Sequence, residues 1–202
     1  MKFYYANATC SLAVHAALRA TGTPFEAIAV DLATHRTAGG GDYYAVSPRG
    51  YVPLLEFDDG SRHTEGAALL QWVADRDPAR ALIGEPGSAR RLAVLEWLAF
   101  VASELHKPFS WLWHKETAES TRDTVKAKLA TRFAEMDALL ATRAFLAGAD
   151  PSVADFYGFA VVNWCRYLAI PLAAYPALEA WLGRVQAQPA MTAAMTAEGL
   201  LK

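Results

Sequence analysis

The sequence predicts a small mixed α/β unit followed by an all-helical unit. Residues 3–76 alternate strand-like and helix-like segments in the order strand, helix, strand, short helix, strand, strand, helix. This order describes a βαβ unit followed by a ββα unit, which together form a mixed sheet with helices on its faces. After Asp77-Pro78 the composition changes, and the remaining residues contain no convincing strand. The fold class is therefore α/β plus all-α.

Composition limits the classes of function. The chain has 202 residues, 53% of them hydrophobic, which suits one large domain or two small ones around a substantial core. A formal net charge of −2 does not favour nucleic acid as a partner. Two cysteines do not make a disulfide framework, and no segment has the pattern of a signal peptide or a membrane span. We expect a cytoplasmic protein with no nucleic-acid or membrane partner.

The first strand, Phe3–Tyr5, leads through a short polar loop to Cys10 and a helical pattern that Ser11 is expected to cap. Free backbone N–H groups and the helix dipole stabilise an anion at such a position. We therefore expect the Cys10 thiol to ionise more easily than a free cysteine. The alternative is a buried cysteine that only packs.

Residues 25–32 alternate as a strand, and residues 33–42 form a polar loop that ends in three glycines. No strand and helix flank those glycines at the spacing of a phosphate-binding loop, so a flexible loop is predicted. Residues 42–46 are predicted to form one short helical turn.

A hairpin and a helix complete the first unit. Pro53 lies at a strand start, which tolerates proline, and Asp58-Asp59-Gly60 predicts a tight turn between residues 54–57 and 61–64. Thr64-Glu65-Gly66 then opens a helix over residues 67–76. The start of this helix is a second natural anion site, or an ordinary helix cap.

The expected domains are residues 1–80 and 88–202, joined by a linker over 79–87 that contains Gly84, Pro86 and Gly87. A long helix is predicted over 89–115, apolar on most sides from Leu92 to Ala102 and bent at Pro108.

Four helical segments follow. The first, over residues 121–142, is amphipathic. Ser152 and Asp155 form the pattern of a helix N-cap with its reciprocal acidic partner, and open an apolar helix over 154–168. Residues 176–188 form a further helix, and residues 190–202 a weakly helical tail.

Short segments along nearly the whole chain resemble the bacterial beta class of cytosolic glutathione transferases. In order, they are Ala8-Thr9-Cys10-Ser11-Leu12, Asp42–Val46 with Pro48 and Gly50, Val52-Pro53, Asp58-Asp59-Gly60, Thr64-Glu65-Gly66, Glu96-Trp97-Leu98, Ser103-Glu104-Leu105-His106-Lys107, Ala154-Asp155 and Ala197-Glu198-Gly199-Leu200. Each segment alone is weak, but together they are specific. The resemblance implies a thioredoxin-like first domain, a helical second domain with a hydrophobic electrophile site, a homodimer, and a detoxifying transferase with glutathione as co-substrate.

The resemblance also implies residue roles. Pro53 is held in a cis peptide, so that the Val52 backbone pairs with the cysteinyl unit of glutathione. Cys10 and His106 lie at the glutathione sulfur and are the expected catalytic residues. The remaining glutathione contacts are expected from His35, Val52, Glu65, Gly66, Ser103, Glu104 and Lys107. Ser152 and Asp155, like Pro53, are structural. A helix-start thiol and an imidazole suit this chemistry, since the thiolate of glutathione is the nucleophile.

The chain departs from the class at three positions. His35 stands where the class often has lysine, Ala99 replaces an asparagine near the sulfur, and Tyr51 replaces a smaller or amide-like residue. A mostly neutral imidazole and a methyl group are poorer polar partners than lysine and asparagine. Weaker glutathione binding or a specialised electrophile pocket is the resulting hypothesis.

Two other functions remain open. Cys10 could act as a glutathione-dependent thiol-disulfide or peroxide reductase, with glutathione as the resolving thiol because the sequence has no C-x-x-C. Alternatively, the protein could be a non-catalytic dimer that binds apolar ligands.

Several other side chains have alternative roles. Tyr4, Tyr5 or Ser11 could supply a hydroxyl to the sulfur. Trp111, Trp113 and Trp164 line the core or the electrophile pocket. Cys165 is expected to be inert packing. His15, His63 and His114 lack metal-ligand spacing, so no metal is expected.

Overall fold

The computed structural model describes residues 1–201, and its first part is a five-stranded sheet in the order β3-β2-β1-β4-β5. The strands are β1 (Lys2–Tyr5), β2 (Glu26–Asp31), β3 (Arg36–Thr37), β4 (Leu54–Glu56) and β5 (Arg62–His63). Strand β1 lies parallel to β2 and antiparallel to β4, which confirms the predicted mixed sheet. The β4–β5 hairpin forms around the predicted Asp58-Asp59-Gly60 turn.

Two helices belong to this part, α1 (Ser11–Ala20) and α2 (Gly66–Ala74), and a 3₁₀ turn covers Tyr43–Ala45 as predicted. The remaining helices are α3 (Ala89–Phe100), α4 (Lys107–Trp113), α5 (Glu119–Leu140), α6 (Val153–Val162), α7 (Pro176–Gln186) and α8 (Pro189–Ala197). Helix α1 packs against α2, α6 and α8, so the apolar face of the first part is covered by the second. Within residues 1–201, no helix is both long enough and apolar enough to cross a membrane.

Helix α6 is the centre of the helical part, because all ten of its residues are buried. At its start, the Asp155 carboxylate accepts hydrogen bonds from the Ser152 backbone N–H at 2.9 Å and the Ser152 hydroxyl at 2.7 Å. The same carboxylate also accepts from the Leu146 N–H and the Trp181 indole N–H. Burial raises the pKa of Asp155. The donated hydrogen bonds act in the opposite direction and offset part of the cost of burying the charge.

Three local predictions are corrected. Ser11 does not cap α1: Cys10 is the N-cap residue, and the Ser11 hydroxyl instead accepts from the Ala6 N–H and donates to the Ala6 carbonyl. Strand β3 lies inside the predicted loop, since a two-residue strand is too short to show an alternating pattern. The long helix is interrupted by a π-helical segment, Val101–His106, directly before α4.

Candidate functional site

Cys10 lies at the start of α1 with 9% of its surface exposed, and its thiol donates a hydrogen bond to the Val52 carbonyl oxygen at 3.5 Å. The Val52–Pro53 peptide bond is cis, as the resemblance implies. The first helix and the β4 start, which are distant in sequence, therefore meet at one point, with the thiol against the Val52 backbone.

The structure opposes the expectation of an easily ionised Cys10. Burial raises the pKa of the thiol to about 12, although the backbone N–H groups of Cys10 and Ser11 act in the opposite direction. Burial removes the water that would solvate a thiolate, and the helix start compensates only part of that loss. Cys10 is a protonated thiol at neutral pH.

His106 is the last residue of the π-helical segment, and its Nδ1 lies 2.7 Å from the Tyr157 hydroxyl of α6. Its ring also packs edge-on against Trp164, with ring centroids 5.1 Å apart. Burial, assisted by the neighbouring Lys107 charge, lowers the pKa of His106 to about 4. The imidazole is therefore neutral at pH 7, and it cannot form a thiolate–imidazolium pair with Cys10 there.

Tyr157 joins His106 to the first part of the chain. A Cβ built on Gly66 would lie 3.9 Å from the Tyr157 Cζ and 4.0 Å from Pro53, so the phenol ring lies beside both residues. The pKa of Tyr157 is raised by burial and, less strongly, by the negative charges that Cys10 and Glu65 can carry. The hydroxyl therefore keeps its proton, and the His106 tautomer sets the direction of its hydrogen bond with Nδ1: with the hydroxyl as donor, the proton of the neutral imidazole lies on Nε2.

Sequence reasoning missed Tyr157. It lies in a very apolar helix, and the available signal was that a buried tyrosine hydroxyl requires a hydrogen-bond partner. Trp164 gives a similar link, because its indole N–H donates to the Ala8 carbonyl in the loop before Cys10 at 2.9 Å.

Glu65 and Gly66 form the start of α2, the second predicted anion site. Glu65 has a positive φ of 68°, and its carboxylate is 73% exposed and paired with Arg49 at 3.1 Å. The first N–H groups of α2 and an exposed carboxylate can together bind a group that carries both an ammonium and a carboxylate.

His35 lies in the loop between β2 and β3, stacked on Tyr44 with ring centroids 4.3 Å apart. Its Nδ1 is buried and has no hydrogen-bond partner among residues 1–201. The ring lies directly against Gly50, where a Cβ would be 2.7 Å from the His35 Cε1. The His35 ring therefore occupies space that is free only because residue 50 is glycine.

The other expected glutathione contacts lie along the helical run that carries His106. Ser103 is exposed and its hydroxyl donates to the Ala99 carbonyl. Glu104 pairs with Arg132 at 2.9 Å and with Lys128 at 3.3 Å, both on α5, and these partners lower its pKa. Lys107 is exposed. Within residues 1–201, no hydrogen bond or ion pair joins Ser103, Glu104 or Lys107 to Cys10.

The remaining candidates have mostly structural environments. Tyr4 is buried in the small cluster with Val30, Tyr43 and Leu54, and Cys165 is 1% exposed. Tyr51 is 68% exposed. The described residues contain no group of three His, Cys, Asp or Glu side chains placed to hold a metal.

Family models match both parts of the chain: the glutathione S-transferase N-terminal domain over residues 9–76, and the C-terminal domain over residues 93–189. Glutathione S-transferase GstA of Escherichia coli O157:H7 is 37% identical over 99% of this chain and 100% of its own. Two solved structures cover 100% of both chains with a TM-score of 0.93. They are a sphingomonad glutathione S-transferase complexed with glutathione, at 41% identity, and the beta-class enzyme of Sphingomonas chungbukensis, at 37%.

Proposed function

The chain belongs to the glutathione S-transferase family as a beta-class glutathione transferase, and we propose that its reaction centres on Cys10, His106 and Tyr157. The sulfur of bound glutathione would lie between the Cys10 thiol and the His106 imidazole. The bound thiol would release its proton to solvent water, and the resulting thiolate would attack a hydrophobic electrophile, forming a carbon–sulfur bond as the leaving group departs with its electron pair. The observation that carries this proposal is the hydrogen bond between the Tyr157 hydroxyl and His106 Nδ1, with Tyr157 near enough to Cys10 for the Cys10 charge to raise its pKa.

The protonation states support conjugation over the redox alternative. Cys10 is buried and protonated, so it is a poor nucleophile in the free protein. A neutral His106 with its proton on Nε2 can instead donate a hydrogen bond to a glutathione thiolate. Such a donor lowers the pKa of the bound thiol without becoming charged itself. In this proposal the Cys10 S–H is a second hydrogen-bond donor to the glutathione sulfur, after the His106 N–H. The reactive thiolate belongs to glutathione.

Glutathione would lie across the starts of α1 and α2. The Val52 backbone would pair with the cysteinyl unit after displacing the Cys10 thiol from its carbonyl. Glu65 and the N–H of Gly66 would hold the γ-glutamyl ammonium and carboxylate, and His35 the glycyl carboxylate. We assign weaker roles to Ser103, Glu104 and Lys107, because Glu104 is already paired with two cations of α5.

The same proposal includes a homodimer built on α3. Leu92 of this helix is 61% exposed, and Trp97 and Phe100 are half-buried, with ring centroids 5.0 Å apart. An exposed apolar helix face of this kind is typical of a subunit interface.

Analytical ultracentrifugation of the wild type and of Leu92→Asp tests whether the protein is a dimer. We expect a dimer that dissociates more readily in the variant, and a monomeric wild type would contradict the proposal.

The proposal also includes the domain organisation, with domains over residues 1–80 and 88–202 and a linker over 79–87. It further includes a cytoplasmic location and a detoxifying role. Residues 75–88 form no helix or strand, which supports the linker. Both cysteines are free and buried, as expected for a reducing compartment.

The test combines turnover with mass spectrometry. Purified protein is assayed with reduced glutathione and a panel of hydrophobic electrophiles, and intact mass is recorded without reductant after incubation with oxidised glutathione. We expect conjugation to be about 10²-fold slower in His106→Ala, the lower end of acid–base contributions, and only moderately altered in Cys10→Ala. Cys165, which is 1% exposed, is the internal control for adduct mapping.

The two alternatives have different outcomes. Full loss of turnover in Cys10→Ala, with a stable glutathione adduct on Cys10 of the wild type, would favour the thiol-disulfide reductase. Glutathione binding without turnover of any electrophile would favour the ligand-binding dimer.

A further inference from the structure

The helical run from Ala89 to Trp113 changes its hydrogen-bond register just before the site. Residues Val101–His106 are π-helical, and the Lys107 N–H donates to the carbonyl of Ala102, five residues back, instead of to Ser103. The backbone stays helical throughout, with φ −57° and ψ −49° at both Phe100 and His106. The register change is thus a π turn within one continuous helix, a feature often found at functional sites.

Pro108 lies two residues after the π-helical segment and is buried in the first turn of α4. Proline has no N–H, so the carbonyl of Glu104 cannot receive its α-helical hydrogen bond. In a regular α-helix the pyrrolidine ring would also clash with that carbonyl. A wider π turn moves the carbonyl away, so Pro108 favours the π register that precedes it.

The π turn determines the direction of His106. One extra residue in a turn rotates the following side chains by about 100° relative to an uninterrupted α-helix. In the observed register, His106 is directed to the Tyr157 hydroxyl at 2.7 Å and to the edge of Trp164. A rotation of that size would remove the imidazole from both partners.

We propose that Pro108 is a positioning residue for the transferase reaction, since it maintains the π turn that holds His106 against Tyr157. This inference rests on the proposed role of His106 at the glutathione sulfur. Pro108 itself touches no reacting atom. Restoring an N–H at position 108 allows an α-helical turn, in which His106 leaves its hydrogen bond with Tyr157.

The test compares Pro108→Ala with Pro176→Ala. Pro176 is also a first-turn proline, at the start of α7, where the next two N–H groups are held by Asp137. Two quantities are measured: kcat for glutathione conjugation, and the ¹⁵N resonances of the His106 ring, assigned with a His106→Asn variant. In Pro108→Ala we expect kcat to fall about 10-fold and the single Nε2–H tautomer to give way to a mixture, with neither change in Pro176→Ala.

Combining Pro108→Ala with His106→Asn shows whether the effect passes through His106. We expect the alanine substitution to change kcat by less than twofold in the His106→Asn background, because the group it positions is gone. An unaltered His106 resonance in folded Pro108→Ala would overturn the proposal whatever the activity. An altered resonance with unaltered kcat would show that Pro108 positions His106 but that His106 has no part in the reaction. This result would also overturn the proposal. If Pro108→Ala does not fold, Pro108→Ser restores the same N–H and is compared in the same way.

Discussion

The Tyr157 hydroxyl and the Nδ1 of His106 are 2.7 Å apart, although 51 positions separate them in the sequence. This hydrogen bond connects α6, the buried centre of the helical part, to the end of the π-helical segment. In the proposed arrangement the hydroxyl is the donor, so the imidazole proton lies on Nε2. The proposed donor to the glutathione sulfur therefore depends on a residue in a different helix.

Replacing Tyr157 with phenylalanine tests this dependence. The variant leaves Nδ1 buried without a donor, so we expect a loss of about 1–3 kcal/mol in the free energy of unfolding. Conjugation is expected to slow several-fold, since the ring is no longer restricted to one tautomer. Urea unfolding and steady-state kinetics measure the two effects.

Tyr175→Phe is the matched control, because its hydroxyl donates to the Ala130 carbonyl between α5 and the start of α7. We expect this variant to lose stability while it keeps its kcat. Equal activity in both phenylalanine variants would show that the Tyr157 hydroxyl has no role in the reaction.

The buried, neutral His106 predicts how stability depends on pH. Its pKa is about 4 in the folded protein and near 6.5 when unfolded, so the unfolded chain binds more protons between these values. Stability is therefore lost as the pH falls from about 6.5 to 4. The shift corresponds to about 2–3 kcal/mol by pH 4.

Urea unfolding of the wild type and His106→Gln at pH 7 and pH 4.5 measures this loss. Carboxylates titrate in both proteins as well. The quantity of interest is therefore the difference between the two proteins in how far the free energy of unfolding falls with pH. We expect the wild type to lose about 2 kcal/mol more than His106→Gln. Parallel slopes would show that the imidazole is already accessible to protons at pH 4.5.

The fold followed from the sequence because its signals are local. Alternating and helical apolar patterns, the Asp58-Asp59-Gly60 turn and the Ser152–Asp155 pair each act within a few residues. The π turn was missed because Pro108 indicates a disturbed helix but not the form of the disturbance.

The site was only partly predictable. Cys10 and the start of α2 were recognised as anion sites from the strand-to-helix order. The burial that reverses the expected ionisation of Cys10 comes from tertiary packing, which no local pattern encodes. The partnership of Tyr157 with His106 has the same origin, since it joins two helices of the second part.

A glycine with a specific packing role offers a third test. Gly50 has a positive φ of 68°, and a Cβ there would meet the His35 ring at 2.7 Å and Tyr44 at 2.9 Å. Gly22 has a similar φ of 62° with nothing within 4 Å. Gly22→Ala therefore measures the backbone cost alone, about 1–2 kcal/mol, while Gly50→Ala adds a steric cost of about 1–3 kcal/mol.

If His35 holds the glycyl carboxylate, Gly50→Ala should also raise the Kd for glutathione several-fold, because the imidazole must move. Gly22→Ala should leave that Kd unchanged. Isothermal titration calorimetry with reduced glutathione separates the two variants. The same Kd in both would exclude His35 from the glutathione site.

A fourth prediction concerns the buried carboxylate of Glu198, which follows α8. It accepts from the Ala8 N–H at 3.3 Å and lies 2.9 Å from Nδ1 of His15, and both side chains are at most 1% exposed. Because His15 Nε2 accepts from the Arg19 guanidinium, Nδ1 carries the proton of the neutral ring. Both groups that face the carboxylate are therefore donors.

Glu198→Gln keeps the shape of the side chain but supplies only one acceptor. Its NH₂ group would face either the Ala8 N–H or the His15 N–H, so one buried donor loses its partner. We expect a loss of about 1–3 kcal/mol in the free energy of unfolding. Glu179→Gln, on the exposed face of α7, is the control and should change stability by less than about 0.5 kcal/mol.

Hydrogen exchange of the Ala8 amide reports on the loop directly. Ala8 is held from both sides, by Glu198 at its N–H and by Trp164 at its carbonyl, two residues before Cys10. In Glu198→Gln we expect faster exchange at Ala8 and a higher Kd for glutathione, because the Cys10 loop loses one of its two anchors. Faster exchange with an unchanged Kd would show that Trp164 alone suffices to place the loop for binding.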